Sequence, residues 1–120
     1  MRESGNDNAL RAALAPVIAA EAALAAITID LNARASEVER IGDHQQRIRE
    51  NMKALKGSSE EQQLVRRYAT QLAQQEDRVE ALRKESEAME RKRRDAQDEL
   101  RRQIDSLSAD VAIKPAAAKP

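Results

Sequence analysis

Apolar residues recur along this chain at alternating steps of three and four. From Leu10 the series runs through Ala13, Val17, Ala20, Leu24, Ile27, Leu31, Arg34, Val38, Ile41, Gln45, Ile48 and Met52 to Leu55, and only Arg34 and Gln45 are polar. A second series runs from Val65 through Tyr68, Leu72, Gln75, Val79, Leu82, Ser86, Met89, Arg93, Ala96, Leu100, Gln103 and Leu107 to Asp110, with more polar members but no break in phase. A mean step of about 3.5 residues sustained over several heptads keeps one narrow seam on the same side of a left-handed supercoil, and so predicts a coiled coil.

Breakers divide the pattern. Residues 1–8 are polar and contain Gly5, and read as a flexible lead-in to a first helix over 9–56, which Pro16 either starts or kinks because it lacks an amide hydrogen and crowds the preceding turn. Lys56 suits a last helical turn, Gly57 a left-handed residue after it, and Ser58 or Ser59 a cap for a second helix opened by Glu60 and Glu61. The predicted turn is 57–59, the second helix 60–111, and 112–120, with Pro115 and Pro120, a disordered tail. Two seams joined by so short a turn predict an all-α fold, a long antiparallel two-helix coiled-coil hairpin. Gly42 costs about 1 kcal/mol relative to Ala, which so long a helix tolerates.

Facing Leu55 with Val65 gives layers whose residue numbers total 120. That register sets Gln45 by Gln75 and Arg34 by Ser86, so the polar intrusions of the first arm meet polar residues of the second. Matched buried polar layers of this kind fix register. Sliding one heptad, to a total of 113, would instead set Gln45 against Tyr68 and Arg34 against Val79.

Composition agrees with long helices. Apolar residues make up 41% of the chain and charged residues 35%, Phe and Trp are absent and Tyr68 is the one aromatic, which excludes a sandwich or a doubly wound fold built on bulky cores. Lys plus Arg and Asp plus Glu number 21 each, so no net field recruits a polyanion. Without cysteine there is no disulfide, thiolate metal site or cysteine nucleophile. The most apolar run, Ala15 to Ile29, is interrupted by Pro16 and Glu21 and falls short of the roughly 20 residues a membrane span needs. Glu3, Asp7 and Glu21 fit a secretory signal poorly.

The stretch Ile41-Gly42-Asp43-His44-Gln45-Gln46-Arg47-Ile48-Arg49-Glu50-Asn51, followed by Leu64-Val65-Arg66-Arg67-Tyr68 and Leu72-Ala73-Gln74-Gln75-Glu76-Asp77, resembles the C-terminal helical region of a bacterial family of unknown function related to mucoidy-inhibitor proteins. The resemblance covers roughly residues 37 to 108 and rests on the Arg-Ile-Arg-Glu-Asn and Arg-Tyr elements. It implies a fragment or short relative of a larger, exported or periplasmic bacterial protein whose remainder is β-rich. It carries over no catalytic residue.

Chemistry has few candidates. His44, the sole histidine, has Arg40, Ile41, Arg47 and Ile48 as its helical neighbours, with no carboxylate to raise its pKa or share a metal, so it reads as solvated. General acid–base catalysis needs a desolvated cleft, which a two-helix hairpin lacks. No catalytic, cofactor or metal residue, no cofactor and no small-molecule substrate is therefore assigned. The basic run Arg91-Lys92-Arg93-Arg94 invites a nucleic-acid reading, and the acidic pair Glu60-Glu61 a resemblance to hairpin tips that enter RNA polymerase and hold a metal. Against the first, Glu87, Glu90 and Asp98 lie at i,i+4 spacing from Arg91, Arg94 and Arg102, the pattern of a solvated, self-neutralised helix. Against the second, helix capping explains the same glutamates. Arg93 occupies a seam position facing Ile27 and must snorkel or meet a third helix.

Leu14, Ile18, Ile29 and Ile104 lie off the seam, and Ala fills much of the rest of the first helix's outer part. A helix apolar on several sides is expected to be covered on several sides. The reading is a non-catalytic spacer, dimeriser or docking arm whose partner is a second copy, giving a four-helix bundle, or an adjacent domain of a parent chain. A nucleic-acid- or polymerase-associated hairpin is the alternative.

Overall fold

A computed structural model describes the backbone of residues 2–118 and the side-chain surroundings of residues 7–109. Among them are two α-helices and no strand: α1 (Arg2–Lys53) and α2 (Ser59–Ala118), which contact each other as an all-α helical hairpin.

The turn is built by local chemistry. The carbonyls of Asn51 and Met52 accept from the amides of Ala54 and Leu55 at 3.2 Å each, tightening the end of α1, and Gly57 follows at φ 91°, a conformation in which a side chain is strained. Ser58 then caps α2. Its hydroxyl accepts from the amide of Glu61 at 3.1 Å while the Glu61 carboxylate accepts from the amide of Ser58 at 3.2 Å, a reciprocal capping box. Non-helical residues are thus 54–58 rather than the expected 57–59, because the closing bonds consume Ala54 and Leu55.

The outer ends run longer than expected. Residues 2–8, read as a flexible lead-in, continue α1, and 112–118, read as a disordered tail, continue α2. No proline interrupts the first stretch, and three alanines, the strongest helix formers, follow Pro115 in the second. Met1, Lys119 and Pro120 lie outside the described residues. Pro16 does not start α1. The helix runs through it, and the Ala12 carbonyl that loses its donor belongs to an exposed residue within reach of water.

The chain divides into two compact units. One is continuous, Asp30–Met89, and contains the turn. Its core holds Ile48, Val79 and Leu82, with Leu82 1% exposed, and Leu31, Val38, Ile41, Tyr68 and Leu72 are half-buried around them. The other joins Met1–Ile29 to Glu90–Pro120. There Ala20 is buried and Val17, Leu24, Ile27, Ala96, Leu100 and Leu107 are half-buried. The seam departs from its expected phase only near its start: Leu10 and Ala13 are exposed, and Leu14 takes the covered place. Leucine has the larger apolar area to remove from water.

Candidate interaction surfaces

Within the unit Asp30–Met89 the polar seam residues form a hydrogen-bonded layer. Gln45, 6% exposed, donates from Nε2 to Glu76 Oε1 at 3.0 Å, and Gln75 donates from Nε2 to His44 Nδ1 at 2.6 Å, which requires the Nε2–H tautomer of the imidazole. Gln75 Oε1 is buried without a partner. Gln45 and Gln75 were expected to face each other and His44 to stand in solvent. Instead each glutamine bonds a neighbour of the other, and His44 is half-buried. These pairs, whose residue numbers total 121 and 119, straddle the layer in which Gln45 faces Gln75, not the slid arrangement that would set Gln45 by Tyr68.

Arg34 departs in the same way. Its Nε donates to Glu85 Oε2 at 3.0 Å and its Nη1 to the Asp30 carbonyl at 3.3 Å, so the partner is the exposed carboxylate beside half-buried Ser86 rather than the serine itself. A guanidinium satisfied by a carboxylate needs less desolvation than one facing a hydroxyl. Arg78 grips Glu37 through Nε and Nη2 at 3.1 and 3.3 Å. Glu37, Glu76, Arg78 and Glu85 are the partners that the seam pattern alone did not reveal. They flank the seam, and opposite charges at flanking positions are the signal that would have found them.

The tip is chemically committed. Glu61 Oε2 accepts from the Lys56 amide at 2.6 Å, and that bond, with those to Ser58, holds its carboxyl below the usual carboxylate range. No cluster of three or more His, Asp or Glu suited to a metal occurs among the described residues.

The basic run lies on the other unit. Arg93 Nη2 pairs with Glu90 at 2.8 Å and Arg102 Nη2 with Glu99 at 2.6 Å, both at i,i+3, in place of the expected i,i+4 pairs. Arg93 is half-buried and its Nε has no partner. Glu99, which also accepts from Gln103 Nε2 at 2.7 Å, is held below the usual range chiefly by Gln103 and then by Arg102.

Several large apolar side chains of this unit stand in solvent. Ile18 is 60% exposed, Ile29 67%, Leu10 56% and Ile104 43%, while Leu14 is half-buried. An 18-residue window of α1 reaches a mean hydropathy of 2.0 with 6% of it buried. By length and composition α1 therefore meets the requirement for crossing a membrane, which the count from Ala15 to Ile29 had placed out of reach. Two concavities lie on Asp30–Met89. They are open grooves of about 350 and 280 Å³, walled by charged side chains such as Arg83 and Lys84 in one and the paired Arg34, Glu37, Arg78 and Glu85 in the other. Comparison with family models, with curated proteins and with solved structures gives no significant match to this chain.

Proposed function

We propose that this chain is a non-catalytic structural and protein-interaction module, a coiled-coil hairpin acting as spacer, dimeriser or docking arm. The observation that carries the reading is where its polar chemistry goes. The interhelical polar groups are spent on register, in Gln45–Glu76, His44–Gln75, Arg34–Glu85 and Arg78–Glu37, and Glu61 is spent on the turn. Large apolar side chains, Leu10, Ile18, Ile29 and Ile104, are left facing outward. Grooves walled by charged side chains and open to water favour neither desolvation of a substrate nor tuning of a general base. The elements around Arg47-Ile48-Arg49-Glu50-Asn51 support the further proposal that the hairpin belongs to a larger bacterial protein.

The competing reading, a nucleic-acid-associated hairpin, is tested by fluorescence anisotropy with labelled duplex DNA and RNA at low and physiological salt. The module reading expects no complex at low salt beyond weak, sequence-independent association. A tight complex that collapses with salt, and is lost on replacing Arg91, Lys92 and Arg94 by Glu, overturns it.

A further inference from the structure

The two units hold their helices together by different means. In Asp30–Met89 polar side chains reach across, Arg34 to Glu85, Arg78 to Glu37 and Gln45 to Glu76. In the unit that joins Met1–Ile29 to Glu90–Pro120, every side-chain hydrogen bond and ion pair among the described residues stays within one helix. We infer that this second unit is a conformational device, in which α1 and α2 part over 9–29 and 90–109 while the helices of Asp30–Met89 stay together.

The polar seam residues carry the contrast. In Asp30–Met89, Arg34, Gln45 and Gln75 each bond to the opposite helix. In the other unit Arg93 and Gln103 both turn back onto α2, Arg93 to Glu90 at 2.8 Å and Gln103 to Glu99 at 2.7 Å. Bonds between residues three and four apart support α2 whether or not α1 lies beside it. Arg93 Nε is moreover buried without a partner at a seam position, and a buried donor left unpaired disfavours the closed arrangement.

The apolar contribution divides the same way. Ile48, Val79 and Leu82 are buried in Asp30–Met89, whereas in the other unit the buried hydrophobic residue among those described is Ala20. An alanine withdraws a single methyl group from water, far less area than a leucine or isoleucine. Val17, Leu24, Ile27 and Leu100 are only half-covered. Parting therefore forfeits little covered surface and, among the described residues, no interhelical hydrogen bond. Segments held by so few buried contacts are those that open locally, well below the free energy of global unfolding. Opening uncovers the seam side chains of this unit and leaves the turn and its capping box intact.

Amide hydrogen exchange of the full chain at low micromolar concentration, read by mass spectrometry, tests this. Helices in proteins keep their amides protected mainly through packing, so parting exposes them. Amides of 9–29 and 91–108 should exchange about 100-fold faster than those of 41–50 and 75–83. Arg93→Leu removes the orphaned donor at nearly equal helix propensity. It should slow exchange on α1 over 9–29 by about tenfold and leave 41–50 unchanged. Gln103→Leu should act in the same direction, and Arg101→Leu, at an exposed position, should have no effect. Equal exchange in the two units overturns the inference, as does a result in which neither seam substitution slows 9–29. An equal slowing by Arg101→Leu also overturns it, because the effect would then come from α2 alone. Each of these failures leaves the module reading standing, since that reading concerns partners and none enters here.

Discussion

Replacing Gln75 by Leu should stabilise the protein, although it deletes a hydrogen bond. Gln75 Nε2 donates to His44 at 2.6 Å, but its Oε1 is buried with no partner. An orphaned buried acceptor costs about 1–3 kcal/mol, whereas a satisfied neutral hydrogen bond returns about 0.5–1.5 kcal/mol net. A half-buried leucine adds roughly 1 kcal/mol of apolar burial. His44, whose nitrogen is left behind, is only half-buried as a residue. The balance favours Leu by about 1–2 kcal/mol, a rise in melting temperature on the order of 5 °C for a chain of this size. Gln45→Leu is the control. Gln45 donates to a carboxylate, a bond worth about 1.5–3 kcal/mol that offsets the gain from burying a leucine, so its net effect should be near zero. Thermal unfolding followed by circular dichroism at one fixed protein concentration and pH measures both. A lower melting temperature for Gln75→Leu, or equal shifts for the two variants, would refute this account of the layer.

Leu82→Ala, at a position 1% exposed, should cost about 2–5 kcal/mol in denaturant unfolding, while the same change at exposed Leu10 should cost little in dilute solution. Gln45→Cys with Gln75→Cys should oxidise to an intramolecular disulfide and Gln45→Cys with Tyr68→Cys should not, as shown by non-reducing electrophoresis, because the bond demands Cα atoms within about 7 Å. Ser58→Ala removes a capping hydroxyl and should destabilise by about 1 kcal/mol. The Glu61 carboxyl is held low by the Lys56 and Ser58 amides, so its contribution is present above the ordinary glutamate value of about 4.3 and lost as pH falls through the lower folded value. Glu61→Gln should flatten the acid limb of melting temperature against pH.

The helical hairpin was legible in the sequence because a phase-locked apolar repeat, a lone Gly57 and a capping serine all act through local rules. Every second-arm seam position from Val65 to Leu107 is at least half-covered. The partners were less legible. Periodicity says which side of a helix faces its neighbour, but a long side chain such as Arg34 or Gln45 chooses among several acceptors within reach. It took Glu85 and Glu76, one residue away from the position directly opposite. His44 follows the same rule, since helical spacing shows its neighbours on α1 while its partner, Gln75, lies on the other arm. The helix ends were missed because capping statistics favour polar starts without forbidding a helix that simply continues.

The discontinuous unit has a consequence for synthesis on the ribosome. Its first segment, Met1–Ile29, emerges before its second, Glu90–Pro120, and the sixty residues of Asp30–Met89 lie between them. At about 5–20 residues per second, translating that interval takes about 3–12 s. The continuous unit can zip up from its turn during that time, since each new layer closes only a short additional loop. The most apolar segment of the chain meanwhile waits without its intramolecular partner. Completion of the discontinuous unit therefore waits on the last segment to be translated.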